Sequence, residues 1–102
     1  MILYNITAVV HDDVDTEFRE WTNRVFLFEL AGKEIFKSQA LLTILNSPNE
    51  GQSYSLQMHA DNEEQIALFR ATELPAFQEK IQDLWADKVF IFESQMQYIA
   101  VY

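Results

Sequence analysis

The chain has 102 residues, a formal net charge of −9 and no cysteine. Its acidity argues against nucleic acid and anionic membranes as partners, because both bind clustered Lys and Arg, and the lack of cysteine excludes disulfides and thiolate metal sites. With 49% hydrophobic residues, two Gly and two Pro, we expect one domain over residues 1–102. The sequence shows neither a secretory leader pattern nor a membrane-length apolar run, so we expect a cytoplasmic protein.

Residues 2–11 predict a long first strand with two different faces. Alternate side chains of a strand point to opposite sides, so one face, which includes Tyr4 and Ile6, is wholly apolar. The other face is mixed and includes Asn5 and Thr7. Such a mixed face is unusual for a core strand and is the best functional clue in the sequence.

A first helix is predicted after this strand. Asp13 is a candidate N-cap, since its carboxylate can accept from the free N–H groups of the first turn. Gly32 is placed to end the helix in the left-handed conformation. The apolar stripe at helical spacing is Val14, Phe18, Trp21, Val25 and Phe28.

Residues 35–46 and 53–60 predict the second and third strands, joined by a turn cluster at 47–52. One face of the second strand carries Gln39, Leu41 and Thr43. The third strand has an apolar face that includes Tyr54 and Leu56. Its polar face carries Ser53, Ser55, Gln57 and His59.

The second half of the chain predicts one more helix and one more strand. Asp61 and Glu64 have capping-box spacing before a helix that runs to Trp85, and Pro75 predicts a break or a kink between residues 70 and 74. Residues 89–102 predict a long last strand. Its alternation predicts Phe90, Phe92 and Met96 on the face towards the helices, with Ile91, Glu93 and Gln95 on the opposite face.

The element order β-α-β-β-α-β predicts an α+β, ferredoxin-like fold. In this fold a four-stranded antiparallel sheet carries both helices on one face, and its first and third strands are central. The open face is then expected to mix uncharged polar and apolar residues, which suits a half-buried surface. Two such faces packed together form a dimeric α/β barrel. The predicted ligand or interface residues are Asn5, Thr7, Gln39, Ser55, Gln57 and Glu93.

Five segments, in order and at matching separations, resemble an uncharacterised bacterial family, the domain-of-unknown-function family 4286. They are residues 4–7, Trp21, residues 54–57, the Leu74-Pro75 pair and residues 87–92. The resemblance covers essentially the whole chain. It implies a ferredoxin-like domain that dimerises like the antibiotic-biosynthesis-type monooxygenases and stress-responsive barrel proteins, and it implies no known reaction.

Two departures from the family pattern bear on catalysis. The family commonly reads His-Ile-Pro where this chain has Phe26-Leu27-Phe28, and Arg where it has Glu93. If that His and Arg bind a ligand in relatives, this chain lacks both. The departures therefore weaken any catalytic role carried over from the family.

Glu93 and His59 are the candidate catalytic residues. Burial on the open face would raise the pKa of Glu93 and suit it as a general base, but the commoner explanation is a salt bridge to Lys37 or to a partner chain, or plain exposure. His59 and His11 are either exposed residues beside helix caps or part of a His/Asp cluster for a metal or a proton. Antiparallel pairing opposes a two-His site, because it places the two rings at opposite ends.

Two functions follow as hypotheses. The first is a non-catalytic homodimeric module that binds a partner or a small molecule. The alternative is a cofactor-free, monooxygenase-like enzyme that holds a small apolar or aromatic compound through Asn5, Thr7, Gln57 and Glu93. A cavity touching Glu93 or a histidine would favour the enzyme. In either case we expect no cofactor, metal, nucleic-acid or membrane partner.

Overall fold

The computed structural model describes residues 1–48 and 50–102, so one residue of the predicted 47–52 turn lies outside the described residues. The four strands are β1 (Ile2–Val10), β2 (Ser38–Thr43), β3 (Gln52–Ala60) and β4 (Val89–Gln97). They form an antiparallel sheet of order β2-β3-β1-β4. The predicted ferredoxin-like arrangement, with the first and third strands in the centre, is confirmed.

Two helical stretches cover one face of the sheet. The first consists of α1 (Asp15–Trp21), a π-helical segment (Thr22–Leu27) and α2 (Phe28–Lys33), and the second is α3 (Glu63–Trp85). Short 3-10 turns at Asp12–Val14 and Ala86–Lys88 join helices to strands. No helix of the described part of the chain is long and apolar enough to cross a membrane.

The core lies between the helices and the central strands. The predicted apolar faces of β1 and β3 are confirmed, because alternate side chains along both strands are at most 1% exposed. These side chains are Tyr4, Ile6, Ala8, Val10, Tyr54, Leu56, Met58 and Ala60. The helices contribute Phe18, Leu30, Phe69 and Phe77, each likewise at most 1% exposed.

The two faces of β4 are exchanged relative to the prediction. Glu93 pairs with Ile6 and therefore lies on the helix-covered face, whereas Phe92 pairs with Thr7 on the open face. The prediction failed because both faces of β4 are apolar over residues 89–92, and the more hydrophobic face was assigned to the core. The open face carries Phe90, Phe92, Ser94 and Met96.

The faces of β2 are exchanged as well. Gln39 pairs with Met58 and Leu41 pairs with Leu56, so both lie on the helix-covered face. This edge strand spans only Ser38–Thr43, about half the predicted length. A one-residue difference in register sends every side chain of a strand to the other face, and the weak alternation in β2 did not determine the register.

The π-helical segment redirects the first helix. The predicted stripe holds for Phe18, but Val25 and Phe28 are 40% and 76% exposed, while Phe26 and Leu27 are buried. A π-helix bonds residue i to i+5 rather than i+4. It therefore holds more residues in a turn and rotates the following side chains away from a regular helical stripe.

The helix starts differ from the predicted caps by one or two residues. The Asp13 N–H donates to Nδ1 of His11 at 3.1 Å, so His11 caps the first turn instead of Asp13. The Gln65 N–H donates to Oδ1 of Asn62 at 3.1 Å. The second cap is therefore one position later than the predicted pair at 61 and 64.

Two predicted ends are also wrong, and the break that Pro75 could have caused does not occur. The residue with positive φ after α2 is Glu34, at 55°, and Gly32 lies inside the helix. α3 continues unbroken through Pro75. Because proline has no N–H, the carbonyl oxygen of Ala71 has no helical donor. Ala71 and Pro75 are both exposed, so water can donate to this oxygen instead. β4 ends at Gln97, and residues 98–102 have no regular structure.

Candidate functional site

The open face of the sheet, on the side away from the helices, is unusually apolar. Phe90, Phe92 and Met96 of β4 are 55%, 61% and 47% exposed, and Leu42 of the opposite edge strand is 40% exposed. Single exposed apolar residues are normal, but a row of them on one flat surface indicates a binding surface. Within the described strands, no Asp, Glu, Lys or Arg points to this face.

Four of the six predicted ligand or interface residues meet at the centre of the open face. Asn5 is 8% exposed, and its Nδ2 donates to Oγ1 of Thr7 at 2.9 Å and to Oγ of Ser94 at 3.3 Å. The Ser55 hydroxyl donates to Oδ1 of Asn5. Gln57 is half-buried and stands directly opposite Asn5. Asn5 therefore bonds Thr7, Ser94 and Ser55 within one chain.

The two histidines lie at opposite ends of β1. His59 pairs with Leu3 at the start of the strand, and His11 follows its end. His59 Nδ1 is 3.1 Å from Oγ of Ser38, and its Nε2 is 3.2 Å from the hydroxyl of Tyr98. Nowhere among residues 1–48 and 50–102 do three His, Asp or Glu side chains group as metal ligands.

Glu93 is held on the helix-covered face by two donors. The buried Tyr4 hydroxyl donates to its Oε1 at 2.5 Å, and Nε of Arg70 donates to the same oxygen at 2.8 Å. Burial by itself would raise the pKa of Glu93, but the hydrogen bonds from Tyr4 and Arg70, with the Arg70 charge, outweigh it and lower the pKa below its usual value. Glu93 is thus an ion-paired carboxylate, and its cation is Arg70 rather than the predicted Lys37.

A cleft of about 510 Å³ lies on the helix-covered side at the sheet edge, and we call it the edge cleft. Asn23, Leu27 and Phe28 line it from the helical side, and Gln39 and Leu41 of β2 line it from the sheet. Arg19 and Tyr54 complete the lining together with Ala31, Ala40 and Thr43. Gln39, predicted on the open face, thus belongs to a different surface.

Three side chains form a hydrogen-bonded group beside the edge cleft. Nε and Nη2 of Arg19 donate to the Tyr54 hydroxyl at 3.1 and 2.9 Å, and this hydroxyl donates to Asp15. Burial, followed by the bond to Asp15, raises the pKa of Tyr54. The phenol is therefore neutral at physiological pH, and Arg19 is the charged residue in the cleft lining.

The sequence reasoning missed Arg19, Asn23 and Phe28 as site residues. Asn23 and Phe28 reach the cleft because of the π-helical segment, for which the residue pattern carries no signal. Arg19 was detectable in principle. Tyr54 was predicted on the apolar face, and a buried phenol needs a hydrogen-bond partner, which a nearby helix with Asp15 and Arg19 can supply.

Known families and solved structures include proteins similar to this chain. The sequence profile of the family described as "Domain of unknown function (DUF4286)" matches residues 1–99. No curated protein matches the chain. Two dimeric ferredoxin-like proteins from an uncultured marine organism have similar structures. The first has a TM-score of 0.67 and 10% sequence identity, and the alignment covers 100% of this chain and 98% of that protein. The second has a TM-score of 0.59 and 13% sequence identity, and the alignment covers 99% of this chain and 96% of that protein.

A protein of the ethyl tert-butyl ether D family from Bacillus halodurans is also similar. It has a TM-score of 0.65 and 14% identity and covers 92% of this chain and 97% of its own. At such identities the likeness shows a shared ferredoxin-like fold.

Proposed function

The chain belongs to the DUF4286 family, and from the chemistry of its sheet we propose that it acts as a homodimeric binding module whose open face is the subunit interface. Each subunit contributes one ferredoxin-like domain over residues 1–102. The observation that carries this proposal is the open face itself, which is rich in exposed aromatic and aliphatic side chains and lacks charged residues in its strands.

Charge distribution supports self-association through this face. Each chain has a net charge of −9, so two copies repel each other unless their charges stay apart. At the open face two copies can meet without bringing carboxylates of the strands together. Apolar area removed from water contributes about 25 cal/mol per Å², and the Phe90–Phe92–Met96 row supplies much of that area.

The polar centre of the face is compatible with burial in a dimer. Asn5 already bonds Thr7, Ser94 and Ser55 within its own chain, so covering it leaves few polar groups without partners. The similar marine proteins are described as dimeric, and the same arrangement is part of our proposal for this chain.

The alternative enzyme hypothesis receives less support. That hypothesis needs Glu93 on the open face as a polar anchor and candidate general base, but Glu93 lies on the opposite face with its carboxylate bonded to Tyr4 and Arg70. The edge cleft includes neither Glu93 nor a histidine. The feature that would have favoured a monooxygenase-like enzyme is therefore not found in this cleft.

Light scattering on the unmodified chain tests the proposal. The chain mass is 12.0 kDa, and we expect twice that mass at micromolar concentration. Added salt should maintain or strengthen the dimer, because it screens the repulsion between two acidic chains and leaves the apolar contact intact. A single-chain mass at all concentrations and salt levels would refute the proposal. The cytoplasmic location stays a prediction, which fractionation of cells that express a tagged chain would test.

A further inference from the structure

The edge cleft combines an apolar wall with polar groups that point to a ligand. It lies on the helix-covered side and is built by one chain, so it does not depend on the dimer proposed above. Its volume of about 510 Å³ falls in the range typical of small-molecule sites. Such sites are mostly apolar and contain a few fixed polar groups that orient the ligand.

The Arg19 guanidinium, the cationic group of the cleft, is held in place and still has N–H donors that make no hydrogen bond within the described residues. Arg19 uses Nε and Nη2 to bond the Tyr54 hydroxyl, and Nη2 is also 4.0 Å from Oδ2 of Asp15. These contacts fix the plane of the guanidinium and leave both N–H groups of Nη1 for a ligand. A guanidinium with a fixed plane suits a planar carboxylate.

A second polar group in the cleft lacks a partner. Oε1 of Gln39 is shielded from solvent and accepts no hydrogen bond from the described residues. A buried acceptor without a donor is costly, and most such atoms in folded proteins are satisfied. A rotation of the Gln39 side chain towards the cleft would bring this oxygen within reach of a ligand hydroxyl or amino group, which would supply the missing donor.

The apolar wall is shaped by the π-helical segment. This segment turns Phe28 outward to 76% exposure and places it in the cleft lining beside Leu27. π-helical turns are rare in proteins, and those that occur often lie at functional sites. An exposed phenyl ring in a cleft favours an aromatic ligand, which can pack against it in a stacked or edge-to-face arrangement.

We propose that the edge cleft binds a small hydroxylated aromatic carboxylate. Its carboxylate accepts from Nη1 of Arg19, its ring packs against Phe28 and Leu27, and its hydroxyl donates to Oε1 of Gln39. The acidic chain as a whole repels anions, so binding depends on this local cation.

Nuclear magnetic resonance titration with 4-hydroxybenzoate tests the site without any substitution. We expect saturable shifts of backbone amides at Asn23, Gln39 and Tyr54. Benzoate, which lacks the hydroxyl, and 4-hydroxybenzamide, which lacks the charge, should each bind about tenfold more weakly or worse. Absence of saturable shifts with 4-hydroxybenzoate, or shifts confined to the open face, would overturn the proposal.

Variants then assign the two polar contacts. Gln39→Leu should reduce 4-hydroxybenzoate binding to the level of benzoate and leave benzoate binding unchanged. Arg19→Gln should abolish the preference for the carboxylate over the amide. The matched control is Arg70→Gln, because Arg70 is also a half-exposed arginine on the helix-covered side and its loss changes the net charge equally.

The controls separate the cleft from a general charge effect. Equal loss of binding in Arg70→Gln and Arg19→Gln would overturn the assignment of Arg19. A dispersed amide spectrum must accompany each variant; if Arg19→Gln unfolds, the comparison of the three probes on the unmodified chain still decides. Light scattering of the variants is expected to be unchanged, so a failed cleft leaves the dimer proposal standing, and the reverse also holds.

Discussion

Replacing Tyr4 by Phe measures how much the hydrogen bond from Tyr4 to Glu93, on the helix-covered face, contributes to the stability of the fold. The Tyr4 ring is fully buried and lies 5.4 Å from the Phe69 ring, in an edge-to-face arrangement. Phenylalanine preserves this packing and removes only the hydroxyl that donates to Glu93. Glu93 keeps Arg70 as its cation, so the substitution leaves no carboxylate unpaired.

The expected loss of stability at neutral pH is moderate. A hydrogen bond to a charged group contributes about 1.5–3 kcal/mol. The Glu93 side chain is 30% exposed and can exchange the phenol for water, so we expect the lower part of this range. Tyr4→Phe should therefore reduce the free energy of unfolding by about 1.5–2 kcal/mol.

This difference should shrink in alkali. Burial, together with the hydrogen bond and charge of Glu93, raises the pKa of Tyr4 above its ordinary value of 10.0. Above about pH 10 the unfolded chain then loses the Tyr4 proton while the folded chain keeps it, so the wild type loses up to about 1.4 kcal/mol per pH unit through this group. The Phe variant lacks that loss, so the two stabilities converge.

Urea unfolding followed by circular dichroism, at fixed protein concentration from neutral to alkaline pH, measures both effects. Tyr102→Phe is the control, because it makes the same chemical change at a fully exposed residue. Equal stability of wild type and Tyr4→Phe at neutral pH would show that the Tyr4–Glu93 bond contributes nothing. A difference that stays constant above pH 10 would refute the raised pKa.

Two further predictions concern stability alone. Gly51 has φ of 80°, and a Cβ there would lie 2.3 Å from the Val10 carbonyl oxygen, so Gly51→Ala should lower the melting temperature and reduce the free energy of unfolding by at least about 1–2 kcal/mol. Gly32 lies in a helix with open space around it, so Gly32→Ala should raise the melting temperature and increase the free energy of unfolding by about 0.5–1 kcal/mol. The opposite order of the two melting temperatures would contradict the turn geometry. Asn5→Leu should cost about 1–3 kcal/mol in urea unfolding, because it leaves the Ser55 hydroxyl without its acceptor; a more stable variant would show that Asn5 is dispensable.

Central strands were predictable because their alternation is unambiguous. In β1 and β3 one face is wholly apolar, so the buried sides of Tyr4 and Tyr54 follow from the period of two. β4 has Phe90 and Phe92 on one face and Val89 and Ile91 on the other. Hydrophobicity cannot choose between two apolar faces, and the choice depends on register with β1.

The candidate sites divide in the same way. Asn5, Thr7, Ser55 and Gln57 meet as expected, because they lie on neighbouring central strands with clear faces. The edge cleft was not predictable, since it depends on a π-helical segment that moves Phe28 out of the core stripe. In that segment Phe26 packs against Phe69 and Phe77 of α3, and a single-sequence pattern does not describe such contacts.

The measurement that tests the proposed interface most directly is the mass of Phe92→Asp by light scattering. Phe92 is 61% exposed in one chain, so the substitution should leave the fold intact, yet it would bury an unpaired carboxylate from each subunit in the dimer. We predict a folded monomer for Phe92→Asp and a dimer for Phe28→Asp, which places the same change on an exposed phenylalanine of the helix-covered side. A Phe92→Asp chain that stays dimeric would contradict the proposal that the open face is the interface. So would a Phe28→Asp chain that becomes monomeric while Phe92→Asp remains a dimer.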